Sequence, residues 1–288
     1  MCYNPLNRMS CAIVSNHCIA THIYDMTLSV GDLVSITKPG QFVNLYSKRD
    51  SLLLPRPISI CGVNHMDKTL RLIYATVGAG TKEFSLLKQG DTIDVLGPFG
   101  NGFTMNQSFD KKRILIVGGG VGTPPLLKLT KEIHALEAAA EITVVLGFRD
   151  EPYLAEEFKP FATVLVATDS GKFGYHGNVV QLLTERYVKA GNQETSAQES
   201  AAQVSAAQVS SVPFDYLFAC GPTPMLRSLQ AFATTYGIEG EFSLEERMGC
   251  GFGGCVGCVV QIKNSDDFDY KKVCKDGPIF KLSEVMFE

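Results

Sequence analysis

The stretch ILIVGGGVGTPPLLKL, residues 114–129, decides how the second half of the chain folds. It reads as a buried strand, a glycine turn and the start of a helix. Gly118, Gly120 and Gly122 let the backbone pass close to a pyrophosphate, and a helix N-terminus adds N–H donors and a positive dipole end. This order therefore indicates a nucleotide site. A plain tight turn between a strand and a helix is the alternative.

Outward from this turn, strand and helix patterns alternate, which is typical of a doubly wound parallel sheet. The predicted elements are helices at 124–139, 178–190 and 224–236 and strands at 113–117, 142–146, 163–167 and 216–219. Residues 191–212 interrupt the pattern with the unit SAAQV twice in tandem. Their composition predicts a flexible surface insertion. A helical extension is the alternative, because Ala and Gln favour helix.

The segment FACGPTPML, residues 218–226, lies at the end of the last of these strands. Ligands of such sheets bind at the carboxyl ends of the strands, so Cys220 and Gly221 are candidate contacts for a nicotinamide dinucleotide. We expect Cys220 to be a reduced thiol near the nicotinamide. A buried, inert cysteine is the alternative.

Residues 9–108 carry a different pattern, in which short alternating segments are separated by turn signals such as Lys38-Pro39-Gly40. Many short strands at this spacing predict a small antiparallel barrel. The strand-like segments lie at 11–14, 22–28, 42–46, 70–75 and 92–96. The chain therefore divides into a barrel at 1–108, an α/β nucleotide-binding domain at 109–240 and a small C-terminal module at 241–288.

Four of the nine cysteines stand together in the C-terminal module, in the pattern C-x4-C-x2-C with a fourth member after 15 intervening residues. They are Cys250, Cys255, Cys258 and Cys274. This spacing is typical of a plant-type [2Fe–2S] site, and the interspersed glycines allow the backbone to wrap a cluster. A structural zinc site is the first alternative, although zinc is usually held by two C-x2–4-C pairs. A redox disulfide between Cys255 and Cys258 is the second, and it leaves two cysteines unexplained.

Two segments of the barrel region suit a phosphate-bearing ligand. LLPRPISI, residues 53–60, contains Arg56, whose guanidinium can contact a phosphate in bidentate fashion. IYATVGAGTKEFS, residues 73–85, places a glycine turn ending in Gly80 before the hydroxyl of Thr81. Alone, each segment could equally be an ordinary turn or a surface ion-pair site.

Composition excludes several classes of protein. Hydrophobic residues make up 45% of the 288-residue chain, and the net charge is −4, so neither disorder nor nucleic-acid binding is expected. No apolar stretch approaches 18 residues and the N-terminus lacks a signal-peptide pattern. We expect no membrane partner and a cytoplasmic location, where clustered cysteines more often bind metal than form disulfides.

The order of these motifs resembles the ferredoxin–NADP reductase superfamily. Within it, the ending EERMGCGFGGCVGCVV…KKVCKDGPIF is most similar to the electron-transfer subunits of two-subunit, NAD-linked dihydroorotate dehydrogenases. The resemblance implies an FAD-binding barrel of six strands, an NAD-binding domain and a [2Fe–2S] module. It implies transfer of electrons to NAD⁺ from an FMN-containing dihydroorotate dehydrogenase catalytic subunit, in a heterotetramer that serves pyrimidine biosynthesis.

The resemblance also assigns roles to residues. The flavin contacts would be Arg56, Pro57, Ile58, Ser59, Ile73, Tyr74 and Ala75, with Gly80 and Thr81 at its phosphates, and the four cysteines would bind the cluster. Three alternatives stay open at this stage: a differently partnered NAD(P)H reductase of the ferredoxin or sulfide-linked type, a zinc-binding interaction protein, and a thiol-based redox regulator.

Overall fold

A computed structural model describes residues 7–136, 140–189, 212–265 and 267–287. Most of the predicted 191–212 insertion lies outside the described residues. Six antiparallel strands of the first hundred residues close into a barrel in the order β1-β2-β5-β4-β3-β6. They are β1 Met9–Ala20, β2 Ile23–Ser29, β3 Phe42–Tyr46, β4 Arg56–Asn64, β5 Thr69–Ala75 and β6 Thr92–Phe99. A short helix, α1 (Ala79–Phe84), follows β5.

The barrel is closed around its own apolar core because each strand alternates inward and outward side chains. In β3, for example, Val43 and Leu45 lie in the barrel core. Phe42, on the other face of the strand, packs into the core of the neighbouring sheet. The predicted small antiparallel barrel, and its six strands, are confirmed.

A seven-stranded sheet follows, in the order β10-β9-β8-β7-β11-β12-β15. Its strands are β7 Arg113–Gly119, β8 Glu141–Phe148, β9 Thr163–Thr168, β10 Tyr175–His176, β11 Tyr216–Cys220, β12 Glu239–Ser243 and β15 Ile279–Lys281. The first six pair in parallel and β15 pairs antiparallel with β12. The helices are α2 Thr123–Leu136, α3 Ala155–Phe158, α4 Val179–Leu183 and α5 Thr223–Tyr236.

Helices cover both faces of this sheet because its central strands are apolar on both sides. In β7, Ile114 and Ile116 belong to a core shared with α2 and α3. Leu115 and Val117 belong to a second core, shared with α4 and α5. The predicted doubly wound arrangement is therefore confirmed. The predicted helix at 178–190 is only partly α-helical, since α4 continues as a π-helical segment, Thr184–Lys189.

The cysteine-rich C-terminal residues leave the sheet and return to it. They contain a two-stranded hairpin, β13 Val259–Lys263 and β14 Phe268–Lys272. β15 then joins the sheet, with Ile279 opposite Ser243 of β12. The predicted limit between residues 240 and 241 falls inside β12, Glu239–Ser243. The domain limits 1–108, 109–240 and 241–288 stay a prediction.

A charged network joins the barrel to the sheet. The Arg71 guanidinium donates to Asp25 of the barrel at 2.6 Å and to Glu157 of α3 at 2.6 Å. Its two carboxylate partners raise the pKa of Arg71, against the effect of burial, while Arg71 lowers the pKa of Glu157. Among the described residues, no helix has the length and apolar character needed to cross a membrane.

Candidate functional site

A cavity of about 950 Å³ opens where the barrel meets the carboxyl ends of the sheet strands. We call it the central cavity. Its size is that of a site for a large organic cofactor. Of the residues predicted from the sequence, those that line it are Arg56, Pro57, Ile58, Ser59, Ile73, Tyr74, Ala75, Thr81, Gly122, Cys220 and Gly221. Segments that are far apart in the sequence thus converge on one place.

The two phosphate-binding candidates of the barrel region lie side by side. A Cβ added at Gly80 would lie 2.6 Å from Nε of Arg56, so the missing side chain of Gly80 leaves room for the guanidinium. Thr81 is buried in the first turn of α1, and its hydroxyl accepts a hydrogen bond from the Gly78 N–H at 3.2 Å. A fixed turn beside an arginine therefore borders the central cavity, and this arrangement suits the phosphates of a dinucleotide.

The candidates of β5 fall on opposite faces of the strand, as the two-residue period of a strand requires. Tyr74 is buried, with its ring stacked on Tyr24 at 5.8 Å and its hydroxyl donating to Asn16 at 3.1 Å. Its aromatic side chain is therefore turned into the barrel. Ile73 and Ala75, on the other face, are the side chains of this strand that are available to a bound group.

The glycine turn after β7 meets the end of β11. A Cβ added at Gly122 would lie 2.3 Å from the carbonyl oxygen of Cys220, so only glycine fits this approach. Gly118 packs against Thr123, and Gly120 has a φ of +52° with open space beside it. Gly118 and Gly120 shape the turn but do not line the central cavity. The buried Thr123 hydroxyl has no hydrogen-bond partner within the described residues.

The Cys220 thiol is buried, and burial raises its pKa to about 12, although Ser243 acts in the opposite direction. Cys220 is therefore a neutral thiol at the cavity wall rather than a thiolate nucleophile. The alternative of a buried, inert cysteine predicts the same burial. Whether Cys220 faces a nicotinamide stays a prediction.

Sequence reasoning missed the acidic side of the central cavity. Glu245 and Glu246 line it, together with Arg247, directly after β12. Burial raises the pKa of Glu245, and the charge of Glu246 raises it further. Glu245 is nevertheless an exposed residue at the cavity wall. The signal available in the sequence was the position of EER just beyond a strand of a parallel sheet.

The four clustered cysteines form two pairs. The loop of residues 249–258, here called the cysteine loop, carries three of them. The Cys255 N–H donates to Sγ of Cys250 at 3.3 Å. The sulfurs of Cys258 and Cys274 lie 3.3 Å apart.

The backbone of the cysteine loop favours a charged sulfur at one of these positions. Burial acts to raise the pKa of Cys250, but hydrogen bonds from the backbone of Phe252, Cys255 and Gly254 lower it to about 6. Burial and the neighbouring Cys258 raise the pKa of Cys274 to about 12. Thiolate is the form that binds metal, so the backbone of the cysteine loop favours the metal-binding form of Cys250.

The arrangement of the four cysteines is compatible with two irons. A [2Fe–2S] cluster shares four thiolates between two irons, and two cysteine pairs can supply them. The donor set therefore fits the predicted cluster.

Comparison with known proteins agrees with this geometry. Residues 245–286 match the family described as iron-sulfur cluster binding domain of dihydroorotate dehydrogenase B. The dihydroorotate dehydrogenase B (NAD(+)) electron transfer subunit of Enterococcus faecalis is 39% identical over 279 residues, 95% of this chain and 96% of the relative. The subunit of the same name from Geobacillus kaustophilus is 37% identical, covering 98% of this chain and 99% of the relative. The chain belongs to the family of dihydroorotate dehydrogenase B electron transfer subunits.

Solved structures show that this electron transfer subunit has the fold of ferredoxin–NADP reductases. An NADH-dependent reduced ferredoxin-NADP oxidoreductase is 28% identical, with a TM-score of 0.75 over 99% of this chain and 91% of that chain. A ferredoxin NADP+ reductase from Neisseria gonorrhoeae shares the fold at 17% identity, with a TM-score of 0.59 over 80% of this chain and 92% of that one. The superfamily resemblance seen in the sequence is confirmed.

Proposed function

We propose that this chain holds FAD in the central cavity and a [2Fe–2S] cluster on the cysteine loop, and passes electrons from dihydroorotate oxidation to NAD⁺ in pyrimidine biosynthesis. One observation carries the proposal. A single chain combines a dinucleotide-sized cavity between barrel and sheet with two cysteine pairs in the segment that matches the iron–sulfur family.

The residues that would hold FAD are those that line the barrel side of the cavity. Arg56, Gly80 and Thr81 would bind its phosphates, because a guanidinium and a fixed backbone turn meet there. The flavin would lie along β4 and β5, against Pro57, Ile58, Ser59, Ile73, the backbone of Tyr74, and Ala75. When bound, FAD exchanges hydride with a nicotinamide and single electrons with an iron–sulfur cluster, which no side chain here can do.

NAD⁺ would enter from the sheet side of the cavity. Gly122, Cys220 and Gly221 line that side, and Gly118 and Gly120 shape the turn beneath it. The neutral Cys220 thiol can contact a nicotinamide without adding a charge. Glu245 and Glu246 place carboxyl groups on this part of the cavity wall, and burial raises the pKa of Glu245.

The oxidation of dihydroorotate itself would take place on an FMN-containing catalytic subunit, with both subunits assembled as a heterotetramer. The cysteine loop offers a surface for that partner, since the side chains of Phe252 and Val256 are 44% and 73% exposed. Exposed apolar side chains beside a redox site are typical of protein contact surfaces. A cytoplasmic location stays part of the proposal.

Anaerobic purification, followed by analysis of flavin, iron, acid-labile sulfide and co-eluting protein, tests the proposal. We expect about one FAD and about two irons per chain, and an FMN-containing partner that oxidises dihydroorotate. Zinc in place of iron, without acid-labile sulfide, would contradict it in favour of a zinc-binding interaction protein. Iron and FAD with a partner of different activity would favour the differently partnered reductase.

A further inference from the structure

Asn44 lies between the two cofactor regions. Asn44 lies on β3 and pairs with Pro57 of β4, one of the strands proposed to hold the flavin. Its neighbours Val43 and Leu45 face the barrel core, so Asn44 projects from the outer face of β3. It is nevertheless fully buried, with 0% of its surface exposed.

The cysteine loop packs against the side-chain amide of Asn44. Nδ2 of Asn44 donates to the carbonyl oxygen of Cys250 at 3.1 Å. Gly251 has a φ of +73°, and a Cβ added there would lie 2.5 Å from both Nδ2 and Oδ1 of Asn44. Oδ1 has no hydrogen-bond partner in the part of the chain that the structure describes. A buried polar atom without a partner costs about 1–3 kcal/mol, so an asparagine here needs a reason beyond stability.

Aromatic packing supports the same contact. Phe42, which lines the central cavity, lies 5.9 Å from Phe99 between ring centroids. Phe99 lies 6.5 Å from Phe252, inside the cysteine loop. The outer face of β3 therefore connects the cavity to the loop by one hydrogen bond and one chain of aromatic contacts.

We infer that Asn44 is a positioning residue that fixes the Cys250 side of the cluster against the flavin strand and favours the reduced cluster. The inference rests on the proposed function. An amide N–H aimed at the peptide of a ligand cysteine places a positive dipole end beside the site. That dipole stabilises the negative charge that the cluster gains on reduction, as hydrogen bonds around such clusters do.

The test compares the complex carrying Asn44→Leu or Asn44→Asp with the parent, using iron content and an anaerobic redox titration followed by electron paramagnetic resonance. Both variants keep the side chain's approximate size, and neither ionised aspartate nor leucine can donate to Cys250. At a fixed potential the ratio of reduced to oxidised cluster should fall about two- to tenfold in Asn44→Leu, the worth of one hydrogen bond. It should fall further in Asn44→Asp, which adds a negative charge.

Asn16→Leu is the matched control. Asn16 is another barrel asparagine, but its amide donates to Phe84 and Leu87 within the barrel. It should lower stability without changing the cluster ratio. Loss of iron from the Asn44 variants alone would also support the positioning role.

Two results would overturn the inference. One is an unchanged cluster ratio and iron content in both Asn44 variants, and the other is an equal shift in Asn16→Leu. A parent complex without iron and acid-labile sulfide would instead overturn the proposed function itself, so the two failures are distinguishable.

Discussion

The central cavity and the cysteine loop are built in opposite ways. The cavity gathers side chains from β4, β5, α1, the turn after β7, and the ends of β11 and β12. The four clustered cysteines include three from the cysteine loop, whose ten consecutive residues form neither helix nor strand. A large organic cofactor needs walls from several elements, whereas a cluster needs a few donors on a backbone that can wrap it.

This difference predicts that damage to one region should leave the other intact. The largest effect is expected for Cys258→Ser, which removes half of a sulfur pair. Iron content should fall at least about tenfold, because losing a ligand costs at least as much as losing an outer partner of a metal site. Flavin content should stay near that of the parent. Iron and flavin analysis of the purified complex measures both.

Cys11→Ser is the control for this substitution. Cys11 is buried in the barrel, and burial raises its pKa to about 11. Its replacement should leave iron unchanged. Equal iron loss in both variants would mean that the cysteine loop is not the cluster site.

The second prediction concerns the cavity, where backbone contacts between distant segments matter most. Gly122→Ala would force a Cβ to within 2.3 Å of the Cys220 carbonyl oxygen, so the turn or β11 must move. We expect a loss of about 1–3 kcal/mol in unfolding free energy, as for overpacked cores, and weaker NADH binding. Iron content should not change. Denaturant unfolding and NADH titration report the two effects.

Gly62→Ala provides the comparison, because a Cβ there would meet only the Arg71 Cβ at an ordinary 3.8 Å. If Gly62→Ala and Gly122→Ala weakened NADH binding equally, the close approach of turn and strand would have no special role.

A smaller effect is expected at the phosphate end of the cavity. Gly80→Ala would place a Cβ against the end of the flexible Arg56 side chain, which can move away more easily than backbone. Because Arg56 would then lose its position, flavin affinity should fall about three- to tenfold, the worth of roughly one hydrogen bond. Fluorescence titration with FAD after removal of the flavin measures it. Gly78→Ala, with nothing within 4 Å of the added Cβ, should have the weaker effect.

The smallest effect concerns an ion pair remote from both regions. The side chain and backbone N–H of Arg113 lower the pKa of Asp215 to about 2 from its usual 3.8. Since the folded-state pKa is depressed, the pair stabilises the protein above pH 3.8, and this contribution is lost as pH falls toward 2. Both side chains are largely exposed, so Asp215→Asn should cost no more than about 1 kcal/mol at pH 7.

Denaturant unfolding of Asp215→Asn and the parent, between pH 7 and pH 2, checks the sign of this effect. The difference in unfolding free energy between them should shrink below pH 4. A difference that grew on acidification would contradict the assigned direction. Iron and flavin content should be unaffected at pH 7.

The contrast between the central cavity, built from distant segments, and the cysteine loop, built from consecutive residues, explains what could be predicted from the sequence. The four cysteines were predicted as ligands from spacing, because three of them lie close together in the chain. Arg56 and Gly80 were predicted separately as phosphate contacts, but their close approach depends on β4 meeting α1 in space and could not be predicted. Glu245 escaped notice because β12, the strand whose end carries it to the cavity, was not predicted. Asn44 escaped notice because a lone polar residue within a strand carries no local pattern. The inward turn of Tyr74 follows from strand periodicity once the register of β5 is known.

The register between β12 and β15 has a consequence for how such a chain can be built. Ser243 and Ile279 are cross-strand neighbours, so everything from residue 244 to residue 278 departs from and rejoins the sheet at one place. Antiparallel neighbours can be linked by a tight hairpin of two residues. A shortened chain with a simple hairpin in place of residues 244–278 should therefore keep the strand order of the sheet, but it would lose the part of the sheet's core that Cys258, Ile262 and Cys274 supply.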